Sequence, residues 1–379
     1  MLRRVLAGLM MLAVAGALGT LRLYHDATDP VRLGTEHLAG LTLEQRAFTI
    51  ADTAVAGGAP GAVLLLQIGD ERVTATAGTT DKSSNEPIDP DTPLRIASVS
   101  KIYTAAIITA LSQRGLIDLD DKITAYLPGD VTTGLANADS ATVRQLLNHT
   151  AGIPDYHDIP HYLFGDWTKP LTLKRTLAAA SRHPAPFASG EGIKYSNMAY
   201  ILAGEVAERT SGRAMADLID ETLSTPLDLS ATHYGQHSPP GADLHGYGTE
   251  LRPWADTFVF WEHSAPDAGV VASASDVAAV LIALTWPDGE LSELGQLMLD
   301  QPFGYTDRYQ RALGFEIHRA RGDSPKIGHS GDVPGYLSFA YSFPDREAVI
   351  VGHVTCDCPD LLGSMLDNAQ RAIETPLTD

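Results

Sequence analysis

Cysteine is scarce in this chain, which has only two among 379 residues. Two cysteines cannot build a disulfide framework, and they are too few for a zinc site made of four cysteines. Positive charge is also in short supply, because 27 Lys and Arg stand against 47 Asp and Glu and give a net charge of −20. So acidic a chain is not expected to bind nucleic acid or anionic lipid through a general positive field.

Long apolar runs are absent after the first 30 residues, and no internal repeat is visible. At the N-terminus, Arg3 and Arg4 precede an uncharged run, 5–21, that contains the small-x-small pattern Ala15-Gly16-Ala17. This layout is typical of a secretory signal peptide. An uncleaved anchor is the alternative, because the run reaches the lower limit for spanning about 30 Å of hydrocarbon. We therefore expect an exported protein, periplasmic or extracellular, that is either released or anchored to the membrane by residues 5–21.

The remaining chain predicts strands and helices in three blocks. In the first block, 40–115, the runs Ala62–Ile68 and Arg72–Ala77 lie on either side of a Gly-Asp-Glu turn and indicate a β-hairpin. The middle block, 116–269, is mainly helical in pattern and is interrupted by Pro/Gly loops. In the last block, 270–379, we predict three further strands: Leu313–Arg319, Tyr336–Phe343 and Ala348–Val354.

Neither group of strands is large enough to make a sheet alone. We therefore predict an α/β (α+β) fold with one antiparallel β-sheet, built from both chain ends and flanked by helices, that carries a mainly helical inserted lobe. The predicted helices include Ser98–Arg114, Ser275–Trp286 with Ser275 as its N-cap, and Leu361–Ile373. A cleft between two lobes is where a small-molecule site is usually found.

The segment Ser98-Val99-Ser100-Lys101 lies where a loop meets a predicted helix. Residues three apart share a helix face, so Ser98 and Lys101 can touch. A serine hydroxyl is a weak nucleophile that needs a nearby base, and a partly desolvated lysine can be that base. The helix N-terminus also offers free N–H groups beside Ser98. The alternative for so short a pattern is a helix cap next to a solvated lysine.

A second segment, Tyr195-Ser196-Asn197, is expected to be extended, so that Tyr195 and Asn197 point the same way. Tyr195 can act as a general base if a cation such as Lys101 lowers its pKa. Asn197 can donate to a substrate carbonyl and accept from the lysine. The alternative is a packed tyrosine before a helix that Asn197 caps.

A third segment, His329-Ser330-Gly331-Asp332, precedes the predicted strand Tyr336–Phe343. His329 and Gly331 alternate onto one face, and a glycine there lets a substrate backbone approach the strand edge. The N–H of Asp332 can then pair with that of Ser98 to form an oxyanion hole. The alternative is a glycine-rich turn that happens to contain a histidine.

Together, the three segments resemble the signature of the serine penicillin-recognising family, which is Ser-x-x-Lys, then Tyr-x-Asn, then Lys/His-x-Gly. That family includes class C β-lactamases, DD-carboxypeptidases, D-aminopeptidases and related esterases. Residues 146–153, 187–203 and 268–276 are similar to other stretches of the family, although Ser189 stands where proline is usual. The resemblance covers roughly residues 45–375 of the chain.

The resemblance implies that the protein works through an acyl-enzyme. Ser98 would attack a carbonyl carbon, Lys101 and Tyr195 would move the protons, and either of these two could be the base in acylation. Asn197 would position the substrate amide. Water would then cleave the ester on the serine. The resemblance implies no metal and no organic cofactor.

Two residues of the third segment bear on the substrate. His329 stands where the β-lactamases carry lysine; it would add polarity or charge to the site wall, and it favours the carboxypeptidase, aminopeptidase and esterase branch. The carboxylate of Asp332, beside the oxyanion hole, would repel a terminal carboxylate of a substrate by about 1–4 kcal/mol. We therefore predict ester or amide substrates without that carboxylate and weak DD-carboxypeptidase activity.

Other chemistries have less support in the sequence. A Ser-His-Asp triad in an α/β hydrolase needs a Gly-x-Ser-x-Gly elbow, and the chain contains none. His157 and His161 have the spacing of zinc ligands on a helix, but Pro160 breaks that helix. The pair Cys356 and Cys358 cannot complete a tetrahedral metal site, so a free pair and a local disulfide both stay open.

Two functional classes remain. The first is an exported serine hydrolase that acts on a small-molecule or peptide substrate. The second is a catalytically slow penicillin-binding or sensor domain that binds a ligand or a partner without turnover. The presence of Ser98, Lys101, Tyr195 and Asn197 together favours the enzyme, because a pure binder would not need all four. The sequence gives no prediction of oligomeric state.

Overall fold

The computed structural model describes residues 32–157, 172–235, 244–248, 255–257, 265–319 and 325–377. The predicted signal or anchor at residues 1–30, and His161 of the histidine pair, lie outside these residues. Within the described ranges, no helix is both long enough and apolar enough to cross a membrane.

Thirteen strands are present in the described residues. They are β1 (Gly61–Ile68), β2 (Glu71–Gly78), β3 (Leu94–Arg95), β4 (His233–Tyr234), β5 (Tyr247–Gly248), β6 (Ala255–Asp256), β7 (Val270–Ala272), β8 (Phe303–Thr306), β9 (Tyr309–Arg311), β10 (Glu316–His318), β11 (Lys326–Val333), β12 (Tyr336–Phe343) and β13 (Ala348–Val354).

The α-helices of the described ranges are α1 (Thr35–Leu38), α2 (Leu43–Ala56), α3 (Ser100–Gln113), α4 (Gly129–Thr132), α5 (Val143–Leu147), α6 (Leu173–Ala180), α7 (Asn197–Ser211), α8 (Met215–Ile219), α9 (Ala274–Thr285), α10 (Ser292–Leu299) and α11 (Pro359–Glu374). Short 3-10 turns at Ala97–Val99, Ile123–Ala125 and Pro344–Arg346 and a π-helical turn at Asp220–Ser224 complete the helical structure described.

One antiparallel sheet of eight strands organises the molecule. Its strand order is β2-β1-β13-β12-β11-β10-β9-β8, so the N-terminal hairpin β1–β2 pairs with the last strand of the chain, β13. The prediction of one antiparallel sheet built from both chain ends is therefore confirmed, as is the mainly helical middle lobe. Two small sheets, β3-β7-β4 and β5-β6, lie outside the main one.

The large sheet is covered on both faces, because alternate residues of its strands enter two different cores. Ala62, Leu64 and Leu66 of β1 join a core formed with α2 and α11. Val63 and Leu65 of the same strand point the other way, into the larger core that includes α3, α7 and α9. This alternation with a period of two is what places neighbouring side chains of a strand on opposite faces.

The structure corrects several local predictions. Helix α9 begins at Ala274, and Ser273 rather than Ser275 is its N-cap, because the Ser273 side chain accepts a hydrogen bond from the N–H of Asp276 at 3.1 Å. The strand expected at Leu313–Arg319 is only β10, since Gly314 adopts a left-handed φ of 78° in the turn before it. The strands β8, β9 and β11 were not predicted, so His329 lies within a strand instead of before one.

Candidate active site

Ser98 lies in a tight 3-10 turn, Ala97–Val99, directly before the first residue of α3. Ala97 has a left-handed φ of 52°. This conformation costs a residue with a Cβ about 1–3 kcal/mol, and it persists only where the surrounding structure imposes it. Those surroundings are provided by burial, since Ala97 has no exposed surface. The turn therefore presents the serine side chain at the helix N-terminus, where backbone N–H groups lack partners within the helix.

Gly331 of β11 packs against this turn. A Cβ at Gly331 would lie 2.4 Å from the carbonyl oxygen of Ile96, 3.0 Å from the Cβ of Ala97 and 2.2 Å from the Oγ of Ser338. The sequence suggested that this glycine makes room for a substrate. The structure adds a second role, because the missing side chain also lets β11 approach the turn that carries the serine.

Lys101 reaches Ser98 from the first turn of α3. Its Nζ donates to the Oγ of Ser98 at 3.1 Å, to the Oδ1 of Asn197 at 2.9 Å and to the carbonyl oxygen of Asp267 at 2.7 Å. The side chain is fully buried, and this burial lowers the pKa of Lys101 to about 8, although the carboxylates of Asp267 and Asp155 oppose the shift. About one tenth of this lysine is therefore neutral at pH 7.

Tyr195 approaches the same serine from the opposite side. Its hydroxyl donates to the Oγ of Ser98 at 2.7 Å, and its half-buried ring lies 4.9 Å from the Nζ of Lys101 and 5.0 Å from the guanidinium carbon of Arg311. Burial raises the pKa of Tyr195 well above its usual value and outweighs the lowering effect of Arg311. The condition under which Tyr195 would serve as the base, a pKa lowered by a nearby cation, is therefore not met in the resting site, where its side chain is a neutral phenol.

Asn197 is the first residue of α7, and a carboxylate fixes its amide. The Nδ2 of Asn197 donates to Asp155 at 3.1 Å, and the backbone N–H groups of Asn197 and Met198 donate to the other carboxylate oxygen at 3.0 and 3.2 Å. Asp155 thus accepts from the free N–H groups at the start of α7. It leaves the Oδ1 of Asn197 facing Lys101, and Ser196 rather than Asn197 caps the helix.

His329 lines the site as an uncharged side chain. It is 2% exposed, and burial, together with the positive charges of Arg311 and Lys101, lowers its pKa to about 4 despite the opposing carboxylate of Glu316. His329 therefore adds polarity rather than charge at neutral pH. Its Nδ1 contacts the carbonyl oxygen of Ser330, while its Nε2 is buried and has no hydrogen-bond partner among the described residues.

Strand β11 offers an open edge beside Ser98. Strand β10 pairs with it only as far as Gly328, whereas β12 pairs along its other side up to Val333. Among the residues that the structure describes, the backbone of 329–333, which includes Asp332, therefore has a strand neighbour on one side only. The pleat sets the Asp332 side chain on the face of its cross-strand partner Leu337, opposite the face that Gly331 turns to the serine. The repulsion predicted from the sequence requires this carboxylate beside the oxyanion hole, and the register places its side chain on the other face of the strand.

Several residues of the site were missed from the sequence. Arg311 and Glu316 are a buried cross-strand pair between β9 and β10, joined at 3.0 Å, and the nearby His329, His318 and Arg311 lower the pKa of Glu316 even though its burial alone would raise it. The pair follows from the β9–β10 hairpin, so predicting that hairpin would have found it. No local sequence signal marks Asp155 or Asp267.

His149 is another residue that the sequence did not assign to the site. Its Nδ1 accepts the N–H of Ser196 at 3.2 Å, and its ring centre lies 4.4 Å from that of Tyr195. Burial lowers the pKa of His149 well below its usual value, so the ring is neutral and supports the tyrosine by packing. The segment 146–153 did carry a family resemblance, which was the available signal.

A cavity of about 530 Å³ joins these groups. Seven residues were predicted for the site, and six of them line this cavity: Ser98, Tyr195, Asn197, His329, Gly331 and Asp332. The seventh, Lys101, is fully buried and contacts Ser98. In the described ranges, no group of three His, Cys, Asp or Glu side chains is placed to hold a metal ion. Cys356 and Cys358 are joined by a disulfide, which resolves the alternatives that the sequence left open.

The hydroxyl of Ser98 hydrogen-bonds to a buried lysine and to a tyrosine, beside strand β11 of the antiparallel sheet. This arrangement defines a serine acyl-transfer site. The sequence model described as Beta-lactamase matches residues 46–368, and the chain belongs to this family. It is a serine hydrolase of the beta-lactamase family, and the predicted resemblance is confirmed.

The chain is similar in sequence to two curated members of the family. Penicillin-binding protein 4* of Bacillus subtilis is 25% identical over 313 residues, which is 77% of this chain and 67% of that protein. The D-alanyl-D-alanine-carboxypeptidase/endopeptidase AmpH of Escherichia coli is 27% identical over 179 residues, which is 47% of this chain and 46% of that protein. The chain thus matches between about half and two thirds of the length of these relatives.

Solved structures resemble the fold over most of its length. The D-amino acid amidase of Ochrobactrum anthropi SV3, in complex with L-phenylalanine amide, gives a TM-score of 0.76 at 25% identity and covers 88% of this chain and 98% of its own. The D-stereospecific amidohydrolase of a Streptomyces species gives 0.73 at 26% identity, with 87% and 97% covered.

Proposed function

We propose that this protein hydrolyses ester or amide bonds of small-molecule or peptide substrates through an acyl-enzyme on Ser98. The observation that carries the proposal is the position of its Oγ, which accepts hydrogen bonds from Lys101 at 3.1 Å and from Tyr195 at 2.7 Å. A serine that only capped a helix would not need both groups. One of them can take the proton from Ser98, and the other can give a proton to the leaving group.

Acylation begins with the neutral form of Lys101, which its pKa of about 8 makes available. The Nζ takes the proton of Ser98 as the Oγ attacks the carbonyl carbon and forms a tetrahedral intermediate. The N–H groups of Ser98 and Asp332 hold the oxyanion. Tyr195, a neutral phenol, gives its proton to the leaving nitrogen or oxygen and is reprotonated from the Lys101 ammonium. The bond to the leaving group breaks, and the acyl group stays on Ser98.

Deacylation uses the same groups in the reverse direction. Lys101, again neutral after acylation, accepts a proton from a water molecule that attacks the ester, while Tyr195 is again a neutral phenol. Collapse of the second tetrahedral intermediate breaks the bond to Oγ, releases the carboxylic acid and returns a proton to Ser98. Asn197, whose amide is fixed by Asp155 and Lys101, positions the substrate during both steps.

The substrates we propose are uncharged at the end that lies near β11. The amidase and amidohydrolase relatives, named for D-amino acid and D-stereospecific substrates, support an amide substrate of this kind. His329 is neutral at pH 7 and offers no cation to a terminal carboxylate. A panel of nitrocefin, short nitrophenyl esters, D-amino-acid amides and a peptide ending in D-alanyl-D-alanine tests this, with rapid release of the terminal D-alanine as the contrary result.

The nucleophile is tested by replacing Ser98 with alanine. We expect turnover to fall by on the order of 10³-fold or more, since removal of a nucleophile leaves only binding and oxyanion stabilisation. Intact mass after incubation with an ester probe or a penicillin should show an adduct on the wild-type chain and none on S98A. A stable wild-type adduct without turnover would instead identify the second candidate, a slow penicillin-binding or sensor domain.

We also propose that residues 1–30 export the protein, as a cleaved signal or as a membrane anchor. The support is the charged start, the uncharged run 5–21 and the small residues Ala15-Gly16-Ala17. The mass of the mature protein from an exporting host, compared with that of the full chain, distinguishes cleavage from retention.

A further inference from the structure

Helix α5 (Val143–Leu147) ends with a residue type that this kind of helix end does not favour. His149, just past the C-cap, adopts a left-handed φ of 63°, and the N–H of the next residue, Thr150, donates back to the carbonyl oxygen of Gln145 at 3.0 Å. Helices that end in this geometry usually carry glycine at the left-handed position, because a Cβ makes that conformation unfavourable. A histidine there breaks a local rule, and such departures are expected mainly at functional sites.

The contacts of His149 give a reason for a side chain at this position. Its backbone carbonyl oxygen accepts the N–H of Lys194 at 3.0 Å, and its Nδ1 accepts the N–H of Ser196 at 3.2 Å. Lys194 and Ser196 are the residues on either side of Tyr195. The ring of His149 also lies 4.4 Å from the ring of Tyr195, measured between ring centres. One residue therefore holds the backbone on both sides of the tyrosine and contacts its ring.

These hydrogen bonds also fix the form of the imidazole. Because Nδ1 accepts from a backbone N–H, it carries no proton, and the proton of the neutral ring is on Nε2. His149 is buried, and this burial, with the positive charges of Arg311 and Lys101, lowers its pKa well below the usual value. The acceptor at Nδ1 is therefore present in the pH range in which Lys101, with its pKa of about 8, titrates.

We propose that His149 is a positioning residue for Tyr195, and that the bond from Ser196 to its Nδ1 holds the phenol where it can give a proton to the leaving group. His149 is not among the residues that line the cavity, so it acts through Tyr195 rather than on the substrate. The N–H of Ile193, earlier in the same segment, donates to the hydroxyl of Tyr305 at 2.9 Å, but that bond is exposed, so water competes with it. The bond from Ser196 is buried. This inference rests on the proposed hydrolase function, in which Tyr195 is the proton donor.

Esters of one acid with different leaving groups measure this role: a nitrophenyl, a phenyl and an ethyl ester. A nitrophenolate is stable enough to leave without a proton, whereas an alkoxide must receive one, so a displaced Tyr195 should slow the ethyl ester most. The quantity compared between variants is the ratio of kcat/KM for the nitrophenyl ester to that for the poorest leaving group that the wild type turns over. A general loss of folded protein lowers both values equally and leaves this ratio unchanged.

Replacement of His149 by phenylalanine keeps a ring beside Tyr195 but removes the acceptor of the Ser196 N–H. We expect the ratio to rise by about tenfold or more, because a small misplacement of a catalytic group can cost about 10²-fold in rate. His149→Gly also removes the acceptor and suits the left-handed φ, so it serves if the phenylalanine variant does not fold, and it should raise the ratio in the same way.

Two further variants make the comparison specific. His149→Asn is the conservative rescue, because its Oδ1 is bonded to Cγ as Nδ1 is and can accept from Ser196, and because asparagine tolerates a left-handed φ; its ratio should stay within about threefold of the wild type. Thr150→Val is the control for the turn itself. It removes the buried 2.6 Å hydrogen bond from Thr150 to Asn148 but no hydrogen bond to residues 193–196, and it should keep the wild-type ratio.

A wild-type ratio in the folded His149→Phe or His149→Gly variant would overturn the inference and leave the hydrolase intact. The same conclusion holds if Thr150→Val raises the ratio equally, or if His149→Asn raises it as much as His149→Phe does, because the acceptor would then not be what positions the tyrosine. If the wild type hydrolyses none of the esters and forms no adduct on Ser98, the hydrolase proposal fails and this inference fails with it.

Discussion

Replacement of Asp267 by asparagine should shift the activity profile of this enzyme toward lower pH. The Nζ of Lys101 donates to the carbonyl oxygen of Asp267, and the carboxylate of Asp267 is the strongest of the charges that raise the pKa of this lysine against its burial. Asparagine keeps the backbone carbonyl. It also keeps a side-chain oxygen that can accept the hydroxyl of Tyr156, which donates to Asp267 at 2.8 Å. The substitution therefore removes the charge and can keep both of these hydrogen bonds.

The expected size follows from the pKa of Lys101. Because the lysine must be neutral to accept a proton, activity is low below its pKa and reaches a plateau above it. With a pKa of about 8, about one tenth of Lys101 is neutral at pH 7. Loss of a nearby opposite charge lowers a pKa by about one unit or more, which brings the neutral fraction to about half. We expect kcat/KM at pH 7 to rise about fivefold while the alkaline plateau is unchanged.

The assay is kcat/KM for an ester substrate from about pH 6 to about pH 10, with pre-steady-state kinetics to isolate acylation. Tyr156→Phe is the control, because it removes the hydrogen bond to Asp267 but keeps the charge, so its profile should stay in place. Two other titratable groups of the site, His329 and Tyr195, do not confuse the result. The pKa of His329 is about 4, and that of Tyr195 is raised well above its usual value.

A rising limb of the pH profile that stays in place in Asp267→Asn, or that moves to higher pH, would refute the assignment of Lys101 as the base. Either result would return the role to Tyr195, the alternative that the sequence left open. The sign is decisive because removing a negative charge can only make the ammonium form of Lys101 less favourable.

Two further predictions concern the groups around Ser98. Tyr195→Phe removes the 2.7 Å hydrogen bond to Ser98 and should lower kcat by about 10²-fold or more. The intact mass of the variant during turnover shows whether acylation or deacylation is the slower step. An unchanged kcat would exclude Tyr195 from proton transfer. Gly331→Ala would place a Cβ 2.4 Å from the Ile96 carbonyl oxygen and should destabilise the fold by about 1–3 kcal/mol, which a lower Tm would show. Gly363→Ala is the control, because its Cβ would have no atom within 4 Å and should not lower the Tm.

The charged pair behind Tyr195 shows how the fold keeps a lysine of lowered pKa in a buried site. Burial is the main cause of the lowered pKa of Lys101, and Arg311 lowers this pKa further. Glu316, which pairs with Arg311 at 3.0 Å on the next strand, balances the charge of Arg311 and opposes the shift. The hydroxyl of Tyr341 also donates to Glu316, at 3.1 Å. Burial of a charge is tolerated when it is paired and hydrogen-bonded in this way. The cation beside Tyr195 and its counter-charge are thus supplied by residues outside the sequence motifs.

Local patterns were sufficient where the information lies within a few residues. The strands Tyr336–Phe343 and Ala348–Val354 have the predicted bounds, because their apolar runs are separated by a Pro-Asp-Arg turn that no strand can cross. The hairpin β1–β2 was found for the same reason. The short strands β8 and β9 carried no such pattern, and their pairing with β10 is what forms them.

The sequence by itself determined which residue types are available for the chemistry and in what order they occur: the serine and lysine at 98 and 101, the tyrosine and asparagine at 195 and 197, and the histidine at 329. Only the tertiary structure decided their protonation. Lys101 meets Asp267, 166 positions away, and its pKa depends on burial and on that charge, which no local pattern encodes. The fold also decided which face of β11 receives Asp332, because a strand's register, set by its partners, assigns each side chain to a side.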